Sequence, residues 1–93
     1  MENVELETLR KIIDAADGDL LTALAERTRA SRAIGAYKHA HNMPALDTDR
    51  WHALLAARIA EGKQKGLSAE FITRLYTLIH EESVTEQKRI QAF

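Results

Sequence analysis

The chain has 93 residues, 45% of them hydrophobic, which suits one domain, residues 1–93, with a modest core. Its 13 basic and 14 acidic side chains leave a net charge of −1, against the strongly basic face that nucleic-acid binding requires. There is no cysteine for disulfide or thiolate chemistry and no apolar run of membrane-spanning length, and the acidic start MENVELETLR does not read as a signal peptide, so the expected address is cytoplasmic.

The stretch from Glu5 to about Ala40 contains no proline and predicts one helix of about ten turns. At about 1.5 Å per residue it would reach about 54 Å, whereas a compact chain of this length is only about 32 Å across. The helix also carries an apolar stripe at seven-residue spacing. One row is Leu6, Ile13, Leu20, Arg27 and Ile34, and the next is Leu9, Ala16, Ala23, Ala30 and Tyr37. That pattern is the seam of a helix packed along another, which predicts a second copy as partner. Arg27 occupies a place that suits leucine. A charge in a seam is costly unless paired, so either the seam opens there or an anion is held there. Lys38, about three turns on, projects from nearly the same face.

From His41 to Asp49 the segment HNMPALDTD holds the only proline, Pro44, and reverses the chain. Asp47 or Thr48 can cap a second helix from about Arg50 to Gln64, whose apolar side is Trp51, Leu54, Leu55 and Ile59. Gly66 is placed to end it, and Ser68, supported by Glu70, caps a third helix from Ala69 to about Ile90. The expected class is all-α, one long and two shorter helices, with no strand. In the third helix the inward row Ile72, Tyr76, Ile79 continues as Ser83 and Gln87 before Ile90. A fraying helix end would explain two polar turns. Set beside Arg27 and Lys38, they instead describe a pocket lined for an anion.

The four histidines show no metal-ligand spacing, no serine sits in a glycine-flanked elbow, and no glycine-rich phosphate loop is present. Gly35 suggests a close helix contact near Ile34, while Gly18 has no evident reason. Arg10 lies near the seam but about 42 Å along the axis from Lys38. It cannot share a pocket with Lys38 of its own chain, yet in an antiparallel pair of first helices it could complete the partner's. Otherwise it is a surface arginine with a packed stem.

These residues resemble the all-helical chorismate mutases of bacterial type over essentially the whole chain. The matching elements are Leu9-Arg10 with Ile13 and Asp17, Leu24-Ala25-Glu26-Arg27, Ile34-Gly35 with Tyr37-Lys38, Pro44 leading to Asp47 and Asp49-Arg50, and Ile79 with Glu82-Ser83-Val84 and Gln87. The resemblance implies an intertwined homodimer with two sites that rearrange chorismate to prephenate without metal or cofactor. It implies that Arg27, and Arg10 from the other subunit, bind carboxylates with help from Ser83. Lys38 and Gln87 would hydrogen-bond the ether oxygen, Arg50 would add positive charge, and Asp47 would act near the ring hydroxyl. One position departs: family members commonly carry a glutamate after the arginine matching Arg50, where this chain has Trp51, an indole that donates and cannot accept. Isochorismate pyruvate lyases share the fold and a cationic pocket. A catalytically weak helical dimerisation or ligand-sensing module is the alternative outside enzymes.

Overall fold

The computed structural model describes residues 4–91. Three helices follow one another, α1 (Val4–Ala40), α2 (Thr48–Gln64) and α3 (Ala69–Gln91), and no strand occurs among the described residues. The chain divides into two compact units, Met1–Ala30 and Ser31–Phe93.

In the first unit the helix is held by its own backbone, with Thr8 and Thr28 donating hydroxyl bonds to the carbonyls of Val4 and Leu24 one turn earlier. Its apolar residues remain open: Leu9, Ile13 and Leu20 are 51%, 58% and 50% exposed. Leu24, Arg27 and Thr28 are half-buried. Arg27 is thus partly withdrawn from water, whereas Ile13, Leu20 and Ile34 of the same row are exposed.

The second unit contains the last turns of α1 with α2 and α3. Both α1 and α2 end in the same hydrogen-bonded motif, in which a residue in the left-handed region turns the chain back onto the last carbonyls. For α2 that residue is Gly66 at φ 82°, with Gly66 N–H on Lys63 O and Leu67 N–H on Gly62 O. For α1 it is Asn42 at φ 55°, with Asn42 N–H on His39 O and Met43 N–H on Lys38 O at 2.7 Å. Asparagine tolerates this conformation better than other residues with a Cβ, and two residues later Pro44 bars any return to helix.

The start of α2 is two residues earlier than the sequence suggests, and of the two candidate caps Asp47 is the one used: its Oδ1 accepts from Arg50 N–H at 3.0 Å. Ser68 caps α3 as expected, its hydroxyl accepting from Phe71 N–H at 3.1 Å. Ala45, Leu54 and Ile72 form the buried apolar core, and no large side chain among the described residues is fully enclosed.

The end of α1 and the end of α3 run parallel with a constant offset of 52 residues. Ser31 meets Ser83, and Gly35 meets Gln87 so closely that a Cβ on Gly35 would stand 2.8 Å from Gln87 Cα. The close contact inferred at Gly35 is thus present, and its partner is α3. The stretch through Ser83 and Gln87 is helical to Gln91 with Gln87 only 7% exposed, which rejects a fraying end.

Candidate active site

Lys38 sits in the last turn of α1, where the asparagine motif fixes its backbone. Its Nζ donates to Ala45 O at 2.8 Å and to Gln87 Oε1 at 2.9 Å. An ammonium only donates, so the glutamine must offer its oxygen. The Gln87 NH₂ then faces away from Lys38 as a pair of donors, and Lys38 keeps a third N–H. The result is a cation and an amide that each keep hydrogen-bond donors beyond the bond they share. The Gln87 backbone lies against Gly35, and its side-chain oxygen is held by Lys38.

One turn before Gln87, Ser83 receives a hydrogen bond from Ser31 at 3.1 Å. Beside Lys38 lies an open pocket of about 250 Å³, lined also by Pro44, Leu46, Asp47 and Asp49. Arg50 is exposed. Trp51 is half-buried, its indole stacked on the His80 imidazole with centroids 4.1 Å apart and planes 14° from parallel. His80 was no candidate in the sequence, and its stacking on Trp51 is what draws attention to it. Arg10 and Arg27 belong to the first unit, where Arg10 is exposed and Arg27 half-buried.

A second polar cluster escaped the sequence reading. Glu86, 4% exposed, accepts from Arg32 Nε at 2.8 Å and from Arg89 at 3.2 Å. The hydrogen bond from Arg32 holds its carboxyl below the usual value of 4.5, opposed by desolvation and assisted by the charges of both arginines. The available signal was a glutamate four residues after Glu82 on a helix whose neighbouring face is inward, too common a pattern to single out. Among the described residues no group of His, Asp or Glu could hold a metal ion, and no helix is long and apolar enough to cross a membrane.

The chorismate mutase type II family profile matches residues 9–88. The chain belongs to the chorismate mutase type II family. It is 41% identical over 85 residues to the bifunctional chorismate mutase/prephenate dehydratases of Enterobacter agglomerans and of Escherichia coli K12, covering 91% of this chain and 22% of each relative. The T-protein of Haemophilus influenzae is 31% identical over 84 residues, 90% of this chain and 22% of that protein. The chain thus spans about a fifth of the length of these curated relatives. For a type II chorismate mutase family member the matched span contains every candidate residue named above, from Arg10 to Gln87.

Proposed function

We propose that this chain is a chorismate mutase, acting as a cytoplasmic homodimer that rearranges chorismate to prephenate. The observation that carries the reading is the Lys38–Gln87 hydrogen bond at 2.9 Å. In the Claisen rearrangement a carbon–oxygen bond breaks as a carbon–carbon bond forms, with no nucleophile and no proton transfer. Negative charge grows on the ether oxygen, and a preorganised ammonium and amide stabilise it more than they stabilise the ground state.

The substrate carries two carboxylates, and the pocket beside Lys38 offers one cation against Asp47 and Asp49. More positive charge is needed to hold a dianion. Arg27 and, from a partner chain, Arg10 supply it in this reading, clamping the carboxylates bidentately so that the folded conformer is selected. Ser83 assists one carboxylate, Arg50 adds positive charge at the mouth, and Asp47 acts near the ring hydroxyl beside Trp51. The exposed apolar residues of the first unit support a second copy, since a soluble single chain rarely leaves such a row open.

Lys38→Ala tests the chemistry. We expect kcat to fall by about 10²- to 10³-fold with the helical circular-dichroism signal retained, followed as loss of chorismate absorbance; near-normal turnover in the folded variant contradicts the reading. Release of pyruvate in place of prephenate would assign the chain to lyase chemistry, and chorismate binding without turnover would make it the ligand-sensing module.

A further inference from the structure

Glu86 is the one carboxylate among the described residues that is buried, and nothing in the proposed chemistry uses it. It projects from α3 immediately before Gln87, and its partner Arg32 projects from α1 three residues before Gly35, the residue that touches Gln87 backbone. The ion pair and the Gly35 contact are thus two adjacent fastenings of the same helix crossing. Arg89, one turn along α3, takes the second carboxylate oxygen, Oε1, while Arg32 takes Oε2. With both oxygens occupied the carboxylate is held in one orientation, and the Arg32 bond ties the α3 turn that carries it to α1.

We infer that Glu86 is a positioning residue for Gln87, its clamp between Arg32 and Arg89 setting the rotation of α3 that brings the Gln87 amide onto Lys38. A helix turned by a few degrees moves a glutamine amide by a sizeable fraction of an ångström, and the Lys38 Nζ bond at 2.9 Å has little slack. The clamp also keeps a negative charge one residue from the anion site neutralised by its own arginines. Glu86 touches no substrate in this scheme; it acts through the amide of the next residue.

The inference rests on the mutase reading only for its kinetic arm, so the test has two arms. The side-chain amide resonances of Gln87 are assigned in the full chain by their loss in Gln87→Ala, then compared in Glu86→Ala and in the isosteric Glu86→Gln, which keeps the fold if alanine does not. We expect the Gln87 amide to move toward the shifts of a solvent-exposed glutamine in either variant; unchanged shifts in a folded variant overturn the inference whatever the chain catalyses. In the kinetic arm, Glu86→Ala is expected to lower kcat about tenfold to a hundredfold with KM changed less than about threefold. In a Gln87→Ala background the same substitution should cost little more, because the group it positions is gone. Additive losses, or a loss in KM alone, overturn it. Absence of any turnover by the unsubstituted chain would defeat the mutase reading and leave the resonance arm to decide this one.

Discussion

Trp51 is where a single side chain separates two outcomes. Its indole lies flat on His80 and ties α2 to α3, a contact worth about 0.5–1.5 kcal/mol beyond the area it buries, but it brings no acceptor to a ring hydroxyl. Trp51→Glu is expected to raise kcat/KM for chorismate while lowering stability by at least about 1 kcal/mol, read by steady-state kinetics beside thermal denaturation. Unchanged or lower kcat/KM in that variant would argue against the substrate pose described above. Glu86 gives a prediction of opposite character. Its folded-state carboxyl is held below 4.5, chiefly by Arg32, so the unfolded chain binds that proton more readily than the folded one. The stabilisation is therefore complete above the ordinary carboxylate value and is lost as pH falls through the depressed folded value. Urea midpoints measured from neutral pH into acid should fall more steeply below pH 4.5 for the unsubstituted chain than for Glu86→Gln; parallel curves would contradict the assignment. Three of the proposed site residues stand out in the sequence because each breaks a pattern: Arg27 in an apolar row, Ser83 and Gln87 in an inward stripe. Glu86, Arg32 and His80 broke none. Their roles come from pairings 54 residues apart or across two helices, which spacing along the chain does not encode.

At the scale of the elements, the helix count, the turn at Pro44 and the caps at Asp47 and Ser68 were legible because each depends on a few adjacent residues. The end of α1 near Ala40 was legible too, though the motif that closes it was not, since Asn42 acts only through the left-handed backbone it adopts. The parallel offset of α1 and α3 was not legible at all, and it is what the two interior glycines of α1 now test. At Gly35 an added methyl meets Gln87 Cα at 2.8 Å and Gln87 O at 3.1 Å, backbone atoms that cannot step aside. At Gly18 nothing lies within 4 Å, and the position faces away from the seven-residue rows. Gly18→Ala should stabilise the chain by about 1 kcal/mol through helix propensity. Gly35→Ala should forfeit that gain to overpacking of about 1–3 kcal/mol and displace the amide that binds Lys38, lowering kcat as well. Thermal unfolding of the two variants checks the contrast, and equal stabilisation by both would contradict the α1–α3 register.

For the whole molecule, a single chain leaves two matters unfinished. The apolar rows of the first unit stand open, and the pocket at Lys38 holds too little positive charge for a dianion. In the proposed reading both are completed by a second copy laid along the first helix and lending its Arg10. The seven-residue rows are what point to a partner in the sequence. The contribution of Arg10 follows in the sequence only if the two first helices run antiparallel, a setting that spacing along one chain does not encode. Complementation between two impaired variants tests this most directly. Arg10→Ala and Lys38→Ala are each expected to be nearly inactive alone. In a dimer that contains one of each, one site combines an intact Lys38 with an intact Arg10 from its partner. Refolded together in equal amounts, the two variants should recover about a quarter of the unsubstituted activity, since about half the dimers are mixed and each holds one complete site. Activity no greater than the sum of the separate variants, with mixed dimers present, would contradict a site built from both chains.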